Sequence, residues 1–349
     1  MSRPVKFGIL STAEITSKVA PALHAIGHLH AIASRDLGKA QKWAAQHAPN
    51  AVAYGSYDEL LSDAEVEAVY IPLPTRARNE WIVKAARAKK HVYAEKPHDL
   101  DGFEEALRVC REEGVLFMDG TMWVHSKRTA AMRKLLDAGE IGAPQRVTAG
   151  FTFAAPSDEW LNGGNGRTDR LREPQGVFGD MGWYPVQAIE WAFQYELPER
   201  VQMVDIRKNS VDTIVAASGF LWFSGGRVAS FDCGATIAHR SFMEVAGARG
   251  LIRVDDLVGG QGRSGLFDAY FLPFVGSESF VHGDAKGKDT VVAVESCDHV
   301  NALVERFCSI VRAPNLAGAD EWARRSLVMH ATMKALFESA EKGCCVVKL

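Results

Sequence analysis

The sequence contains no long apolar run. No segment reaches the roughly 18 consecutive apolar residues that a membrane-spanning helix requires. The opening segment, MSRPVKFGIL, leads straight into a β-like run and lacks the apolar core of a signal peptide. These absences predict a protein that neither crosses a membrane nor enters the secretory route, and we therefore expect it in the cytoplasm.

An excess of charge of either sign is also lacking. The chain carries 40 lysine and arginine residues against 43 aspartate and glutamate residues, which gives a formal net charge of -3. These charges are scattered along the chain, so the sequence has no basic stretch of the kind that holds nucleic acid or anionic lipid. We expect neither of these partners.

Cysteine is present, but without the spacing that metal or disulfide chemistry requires. The six cysteines form no C-x-x-C pair and have no histidine-rich neighbourhood, which argues against a zinc site and against a disulfide framework. The sequence therefore predicts no metal. We expect reduced cysteines, mostly small residues of the core, at Cys110, Cys233, Cys297, Cys308, Cys344 and Cys345.

The chain does contain enough apolar residues for two compact domains, since 47% of its 349 residues are hydrophobic. Within residues 1–125, short apolar runs alternate with segments of helical periodicity, which is typical of an α/β fold. Parallel strands need crossover connections that cover both faces of a sheet. The pattern predicts a doubly wound, Rossmann-like dinucleotide-binding domain, with β-like runs at 6–10, 29–34, 52–54, 68–71, 91–94 and 116–118.

Residues 126–349 show a different pattern, in which β-like runs follow one another directly. In WFSGGRVASF, Ser224, Gly225 and Gly226 separate two such runs as a hairpin turn does. The polar, glycine-rich segment 259–288 is typical of long loops. We predict an α+β domain with a mainly antiparallel sheet, with strands at 145–153, 200–208, 214–223, 227–232, 242–246 and 251–255 and helices at 129–138, 299–311 and 321–342.

The segment after the first β-like run, GILSTAEITSK, is similar to a dinucleotide-binding turn with some of its glycines replaced. Gly8, Ser11 and Ala13 are small enough to let the backbone approach a pyrophosphate. The helix that follows offers unpaired N–H groups and the positive end of its dipole. A tight turn with small residues for packing explains the same pattern, so this segment alone leaves both interpretations open.

The end of the second β-like run indicates the type of dinucleotide. In IASRDLGKA, Ser34 and Arg35 occupy the place where an NAD-binding fold usually offers a carboxylate to the ribose 2′-hydroxyl. A hydroxyl and a guanidinium suit a 2′-phosphate, because arginine can donate two parallel hydrogen bonds to it. Asp36 competes, since its carboxylate can bind the ribose hydroxyls or pair with Arg35. The sequence favours NADP and leaves NAD as the alternative.

Two loops follow later strands at the carboxyl edge of the predicted sheet, where ligands bind in such folds. Pro72 and Pro74 in YIPLP cannot continue a sheet ladder, so the chain must turn there. In AEKPHDL, Lys96 lies between Glu95, which can orient its ammonium group, and Pro97, which makes the loop rigid. A solvated loop lysine is the alternative interpretation.

A further pair of polar side chains occurs in GDMGWYPVQAIEW. If Asp180 lies in the opening turn of the predicted helix, Tyr184 lies on roughly the same face. A phenol can exchange a proton with an alcohol or carbonyl oxygen, and a nearby ammonium lowers its ordinary pKa of about 10. A lysine beside a tyrosine therefore suits the transfer of the proton that accompanies hydride transfer. Taken singly, Asp180 is explained as a helix cap and Tyr184 as an amphipathic residue at a domain boundary.

Together these motifs resemble those of the glucose-fructose oxidoreductase, inositol dehydrogenase and rhizopine-catabolism (Gfo/Idh/MocA) family. The resemblance covers nearly the whole chain, through GILSTAEI, ASRDLGKA, YIPLP, AEKPHDL, DGTMWVHSKRT and GDMGWYPVQ. It implies an open antiparallel sheet after the Rossmann domain, a substrate cleft between the two, and a homodimer or homotetramer formed through that sheet. Lys96 matches the catalytic lysine of the family. Tyr184 matches the branch that contains dimeric dihydrodiol dehydrogenase and NADP-dependent D-xylose dehydrogenase.

The resemblance implies an NADP-preferring dehydrogenase or reductase that transfers a hydride between nicotinamide C4 and a hydroxyl-bearing carbon of a sugar, polyol or trans-dihydrodiol. Tyr184 then exchanges the hydroxyl proton, Lys96 assists it, and Asp180 holds a neighbouring hydroxyl. The residues implied in cofactor binding are Gly8, Ser11, Thr12, Ala13, Ile15, Ser34, Arg35, Pro72, Leu73, Pro74, Thr75, Arg78, Glu95 and Lys96.

Some positions depart from the family pattern. Thr75 and Arg78 replace the asparagine and histidine that many members carry after the Pro-x-Pro loop. The alternative function is a catalytically silent nucleotide sensor or transcriptional co-regulator, which needs neither the lysine nor the tyrosine. The substrate-side candidates are Trp123, His125, Arg128, Trp160 and Arg170.

Overall fold

The fold was taken from a computed structural model that describes residues 3–258 and 277–349. The chain divides into two compact units. The first unit comprises residues 1–122 and 298–327, and the second comprises residues 123–297 and 328–349.

The first unit is built on a parallel sheet, as the alternating pattern predicted. Its elements are, in chain order, β1 (Lys6–Leu10), α1 (Glu14–Ile26), β2 (His28–Ala33), α2 (Leu37–His47), β3 (Val52–Tyr54), α3 (Tyr57–Ser62), β4 (Ala68–Ile71), α4 (Thr75–Arg87), β5 (His91–Ala94), α5 (Phe103–Glu112) and β6 (Phe117–Asp119). Among the described residues the strand order is β3-β2-β1-β4-β5-β6, and neighbouring strands are parallel. This order confirms the predicted Rossmann-like fold.

The apolar residues of the strands and helices explain why helices pack on both faces of this sheet. All four residues of β4 are buried, which is typical of a central parallel strand. Helix α5 carries a stripe of apolar residues at helical spacing, and Phe103, Ala106 and Cys110 of that stripe are buried. The helices therefore bury the sheet through the faces that their periodicity predicted.

Helix α8 (His299–Val311) belongs to the first unit, although the sequence pattern placed it in the second domain. Phe307 is fully buried, with ring centroids 5.6 Å from Phe7 and 6.2 Å from Tyr93. Just beyond the helix, Arg312 binds the Glu67 carboxylate through two contacts of 2.9 Å. Periodicity identifies the apolar stripe of a helix, but it carries no information about the surface on which that stripe packs.

The second unit is built on a mixed, mainly antiparallel sheet. Its elements are α6 (Lys127–Asp137), β7 (Pro144–Ala154), α7 (Trp183–Ala192), β8 (Arg200–Lys208), β9 (Ile214–Trp222), β10 (Val228–Gly234), β11 (Thr236–Gly247), β12 (Gly250–Val254), β13 (Ser277–Asp284), β14 (Asp289–Glu295), the end of α9 (Ala319–Glu341), and β15 (Val347–Lys348). Within the described ranges the strand order is β14-β13-β12-β11-β7-β10-β9-β8-β15. The β7 and β10 strands pair in parallel and the other neighbours are antiparallel. The predicted sheet type is confirmed.

The loop predicted at 259–288 is wrong in its last part. Residues Ser277–Asp284 form β13, which pairs with β12 on one side and β14 on the other. The sequence of β13, SESFVHGD, is largely polar, so its local pattern does not distinguish it from a loop. Its neighbours supply the hydrogen-bonded ladder that makes it a strand. Residues 259–276 lie outside the described residues.

Within residues 3–258 and 277–349, no helix is both long enough and apolar enough to cross a membrane. In the same ranges, no group of three or more His, Cys, Asp or Glu side chains is arranged to hold a metal ion. The six cysteines lie at described positions, and Cys110 and Cys233 are buried.

Helix α7 is buried along its whole length, although it contains a glutamate. Glu190 is fully buried, and Thr332 Oγ1 donates a hydrogen bond to its Oε1 at 2.6 Å. Burial raises the pKa of Glu190 to about 8, and this hydrogen bond opposes the effect. The side chain is therefore largely protonated near neutral pH.

This carboxyl group makes stability depend on pH. Its pKa in the folded protein is about 8 against an ordinary value of 4.5. The folded protein thus binds the proton more tightly than the unfolded chain, and stability falls as the pH rises from about 4.5 to about 8. For Glu190→Gln we expect the thermal midpoint, measured by circular dichroism, to fall less over this range than in the parent. An equal fall in both proteins would contradict the assignment.

Candidate active site

In the turn between β1 and α1, Ser11 has a backbone conformation that is usual for glycine. Ser11 has a φ of +148°, a region that favours glycine. Its Oγ accepts a hydrogen bond from the Ala13 N–H at 3.0 Å, and Thr16 Oγ1 donates to the Ala13 carbonyl at 2.5 Å. Hydrogen bonds of the Ser11 and Thr16 hydroxyl groups therefore stabilise a turn whose backbone conformation glycine would adopt more readily.

Helix α1 begins without a side-chain cap, because its N-cap residue is Ala13. The first N–H groups of a helix lack intrahelical partners and carry the positive end of the dipole, so these donors fit a pyrophosphate. Thr12 and Ile15 lie beside them and are half-buried. At Gly8, a Cβ would come within 2.6 Å of Leu60 Cδ2. The missing side chain of Gly8 therefore lets α3 pack closely on β1.

The hydrogen bonds of Asp36 bear on the alternatives that the sequence left open. Its carboxylate accepts a hydrogen bond from the Lys39 N–H at 3.2 Å and caps α2. Its own N–H donates to Ser34 Oγ at 3.3 Å, and Ser34 is buried. Arg35 is exposed. At the end of β2, the Asp36 carboxylate is therefore engaged as a helix cap, whereas the Arg35 guanidinium is exposed and is not.

Tyr57, which no sequence pattern singled out, lies with these residues. It is the first residue of α3, and its phenol interacts electrostatically with Arg35. Its ring packs edge-on against Trp81, with the ring centroids 4.9 Å apart. Burial raises the pKa of Tyr57, against the opposing effect of Arg35. An aromatic residue directly after the helix cap in GSYDEL was the available signal, but it does not tell where the hydroxyl points.

Arg78 joins the loop after β4 to the loop after β5. Its side chain is 4% exposed, and its Nε and Nη2 donate to the Leu73 carbonyl at 3.1 and 2.6 Å. Its Nη1 donates to the Pro97 carbonyl, and the Lys96–Pro97 peptide is cis. Thr75 is fully buried. The guanidinium thus organises two loop backbones, a structural role that the resemblance did not imply.

Glu95 is a half-buried residue next to Lys96. Tyr70 Oη donates a hydrogen bond to Glu95 Oε1 at 2.7 Å. Burial raises the pKa of Glu95, whereas this hydrogen bond and the charges of Lys96 and Arg78 oppose the rise. A Cβ at Gly120 would lie 2.9 Å from Glu95 Oε2, so glycine leaves room for the carboxylate. The role of Glu95 in orienting the ammonium group of Lys96 stays a prediction.

In the second unit, Arg167 connects Asp180 and Tyr184. Asp180 lies in a π-helical turn, Phe178–Gly182, directly before α7, and Tyr184 is the second residue of α7. Arg167 Nε donates to Asp180 Oδ2 at 2.6 Å. The charge of Asp180 raises the pKa of Arg167 against the effect of burial, and Tyr184 acts in the same direction as Asp180. A carboxylate, a guanidinium and a phenol therefore form one cluster.

Local structure positions both ends of this cluster. Tyr184 is 8% exposed, and its ring packs edge-on against Phe151 with the centroids 5.2 Å apart. Arg167 lies in the 3-10 turn Gly166–Thr168, where Asn165 Oδ1 accepts a hydrogen bond from the Arg167 N–H at 3.0 Å. The sequence NGGNGRTD predicts a turn, but it does not indicate that the arginine reaches Asp180.

Two of the substrate-side candidates make contacts inside the second unit. Trp123 is 1% exposed, and its Nε1 donates to Gln187 Oε1 at 2.9 Å. Arg128 is also 1% exposed; it binds the Asp256 carboxylate and donates to the Asp256 carbonyl at 3.0 Å. A substrate contact for Trp123 or Arg128 stays a prediction.

The other substrate-side candidates are more accessible. Arg170 is exposed and pairs with Asp212 at 2.6 Å. Trp160 is half-buried and packs edge-on against Phe153, with the ring centroids 5.4 Å apart. His125 is half-buried. A substrate contact for each of these side chains stays a prediction.

Comparison with known proteins assigns both halves of the chain to the same family. Residues 5–121 match the oxidoreductase family with an NAD-binding Rossmann fold. Residues 129–253 match the GFO/IDH/MocA C-terminal domain. These two matches follow one another in the order that the fold shows.

Characterised proteins are similar over nearly the full length. The chain is 31% identical to D-xylose 1-dehydrogenase (NADP(+)) 2 of Haloferax volcanii, over 97% of this chain and 98% of that protein. It is 30% identical to dTDP-3,4-didehydro-2,6-dideoxy-alpha-D-glucose 3-reductase of Saccharopolyspora spinosa, over 90% and 89%. A 3-ketoreductase from Actinomadura kijaniata, solved with NADP and TDP-benzene, shares the fold with a TM-score of 0.79 at 24% identity, over 96% and 98%. The chain belongs to the Gfo/Idh/MocA family of oxidoreductases.

Proposed function

We propose that this protein is an NADP-dependent dehydrogenase or reductase that transfers a hydride between nicotinamide C4 and a hydroxyl-bearing carbon of a sugar, polyol or trans-dihydrodiol. The observation that carries the proposal is the cluster of Arg167, Asp180 and Tyr184 in a chain of this family. A carboxylate can hold one hydroxyl of a polyhydroxylated substrate while a phenol exchanges a proton with another. If Arg167 and Asp180 formed only a structural ion pair at the surface, they would not need a buried phenol beside them.

The choice of NADP is supported by the groups at the end of β2. Arg35 is exposed there, whereas the Asp36 carboxylate caps α2. Arginine can donate two parallel hydrogen bonds to a ribose 2′-phosphate. The dehydrogenase of H. volcanii carries NADP(+) in its name, and the A. kijaniata enzyme was solved with NADP. NAD is the alternative cofactor.

In this proposal three groups of residues hold the cofactor. The pyrophosphate is held by the uncapped start of α1, and the ribose phosphate by the end of β2. The loops after β4 and β5 border the nicotinamide. The residues of the three groups are, in that order, Ser11, Thr12, Ala13 and Ile15; Ser34 and Arg35; and Pro72, Leu73, Pro74, Thr75, Glu95 and Lys96.

The proposed mechanism assigns proton transfer to Tyr184. When bound, the nicotinamide accepts or supplies the hydride at C4. During oxidation Tyr184 takes the proton of the reacting hydroxyl, and during reduction it returns one. The proposal keeps Lys96, next to Glu95, as the residue that assists Tyr184. Asp180 holds a neighbouring hydroxyl, and Arg167 pairs with Asp180 and adds positive charge near the phenol.

The proposed substrate class is based on the substrates in the names of two relatives. By their names, one relative acts on D-xylose and another on a deoxyhexose linked to dTDP. Both substrates carry several hydroxyl or carbonyl groups on neighbouring carbons. A carboxylate beside a phenol is suited to such a substrate, because one group can hold an oxygen while the other exchanges a proton.

We also propose that the protein is a homodimer or homotetramer formed through the sheet of the second unit. Val204 on β8 is 46% exposed and Phe220 on β9 is 38% exposed. Phe220 lies near Trp222 with ring centroids 5.9 Å apart. Neighbouring apolar side chains on an exposed face favour contact with another protein surface. The cytoplasmic location expected from the sequence stays a prediction.

Replacement of Tyr184 by phenylalanine tests the proposed chemistry. We expect kcat with NADP and a panel of sugars and diols, followed by NADPH absorbance, to fall by about 10²–10⁴-fold. The affinity for NADPH should stay the same, because the phenol is not part of the cofactor-binding set. Tyr54→Phe is the control, since the Tyr54 hydroxyl bonds to Asp63 at 3.0 Å within the first unit.

Two outcomes of this experiment would count against the proposal. Turnover by Tyr184→Phe equal to that of the parent would remove the proton-transfer assignment. If the parent bound NADPH tightly but turned over no member of the panel, a catalytically silent sensor would become the better explanation.

Arg167→Gln tests the positive charge beside the phenol. Loss of this charge disfavours the ionised form of Tyr184, so the rising limb of kcat/KM for alcohol oxidation should move to higher pH by about one unit. Arg240→Gln is the matched control, because Arg240 also pairs with an aspartate, Asp232, at 2.6 Å. A pH profile that is unchanged in Arg167→Gln would contradict the role of Arg167.

Arg35→Ala tests the cofactor preference. We expect KM to rise much more for NADP than for NAD, because NAD lacks the phosphate that the guanidinium binds. Steady-state kinetics with each cofactor, at a saturating concentration of one substrate, measures both constants. Equal changes for the two cofactors would remove the argument for NADP.

A further inference from the structure

We propose that Asn209 is a positioning residue, which tethers the segment that carries Arg167 so that this arginine pairs with Asp180. The inference rests on the proposed function, in which Asp180 holds a substrate hydroxyl. It extends the site to the turn that follows β8, a part of the chain that no sequence motif singled out.

The carboxamide oxygen of Asn209 shapes the turn between β8 and β9. Its Oδ1 accepts hydrogen bonds from the Val211 N–H at 3.1 Å and from the Thr213 N–H at 2.9 Å. The backbone N–H of Asn209 donates to the Thr213 carbonyl at 3.0 Å. These bonds hold the side chain in one position within the turn.

The carboxamide nitrogen of Asn209 binds a different part of the chain. Its Nδ2 donates to the Leu161 carbonyl at 2.8 Å and to the Thr168 carbonyl at 2.9 Å, which lie 48 and 41 positions earlier. A flipped carboxamide would place donors against donors, so the partners fix its orientation. Asn209 therefore joins the turn to both ends of residues 161–168, which we call the tethered segment.

Other contacts hold the tethered segment in the same place. Asn162 Oδ1 accepts a hydrogen bond from the Ser210 N–H at 3.1 Å. Thr168 is fully buried, and its Oγ1 donates to the Trp160 carbonyl at 2.6 Å. Asn209 contributes two hydrogen bonds to the segment from a single side chain, so its loss should release the segment from the turn.

The tether acts next to Arg167. This arginine directly precedes Thr168, and its Nε donates to Asp180 Oδ2 at 2.6 Å. The two side chains are 37% and 23% exposed, and an ion pair with this degree of exposure contributes little free energy. The pair alone therefore does not fix the backbone that carries the arginine. The bonds from Asn209 supply that fixed position, on which an accurately placed carboxylate depends.

Asn209→Asp separates the tether from the turn. A carboxylate still accepts from the Val211 and Thr213 N–H groups, but it has no donor for the two carbonyl groups. Hydrogen–deuterium exchange, measured by mass spectrometry without substrate, follows peptides from residues 157–169 and 178–184. We expect exchange about tenfold faster in both, because release of the segment also withdraws Arg167 from Asp180.

Two further variants support this comparison. Ser210→Asp is the control, because it adds a carboxylate at the next, exposed position and leaves the carboxamide in place. It should keep the exchange of both peptides as in the parent. Asn209→Ala removes the donor without adding charge, and it should reproduce the faster exchange if Asn209→Asp does not fold. Thermal midpoints establish which variants are folded.

Kinetics show whether Asn209 acts through Arg167. In Asn209→Asp we expect kcat/KM for the sugars and diols to fall by about 10–10²-fold, and KM for NADP to change by less than about twofold. On an Arg167→Gln background, Asn209→Asp should lower kcat/KM by less than about twofold, because the positioned side chain is already missing.

Three results would overturn the inference. The first is unchanged exchange in residues 157–169 of the folded Asn209 variants. The second is faster exchange there with no change in residues 178–184, which would make the tether a local feature. The third is an undiminished loss of kcat/KM on the Arg167→Gln background. Because exchange is measured without turnover, its failure is distinct from a failure of the proposed reaction.

Discussion

A buried cation holds the loops at the carboxyl edge of the parallel sheet. Arg78 donates to the carbonyl groups of Leu73 and Pro97, and it is almost inaccessible to water. A buried guanidinium is tolerated only when its donors have partners, so both loop backbones must keep the positions that supply them. Lys96 precedes one of these residues. The placement of the proposed catalytic lysine therefore depends on an arginine in the neighbouring helix.

The two carboxylates of the proposed site have different partners. Glu95 accepts a hydrogen bond from the Tyr70 phenol, and burial raises its pKa. Asp180 is partly accessible and paired with Arg167. Glu95 is therefore a fixed neighbour of a lysine. The partner of Asp180 is a guanidinium that also interacts with a phenol, and in the proposed mechanism Asp180 binds a substrate hydroxyl.

The sequence predictions were confirmed where they concern the pattern within single strands and helices. The apolar runs and their alternation with helical segments predicted both sheets, because strand and helix periodicity are local properties. The sequence patterns gave no information on contacts with distant partners. Arg128 is paired with Asp256, and Phe307 of α8 packs near Phe7 and Tyr93.

The sequence by itself determined the family, the two fold classes and the candidates Lys96 and Tyr184, because these follow from short motifs and from periodicity. Only the tertiary structure decided which polar groups meet. It made Asp36 a helix cap, brought Arg167 to Asp180, and joined Arg78 to the Leu73 and Pro97 carbonyls. The physical reason is that a side-chain hydrogen bond depends on distance in space, which local sequence patterns do not encode.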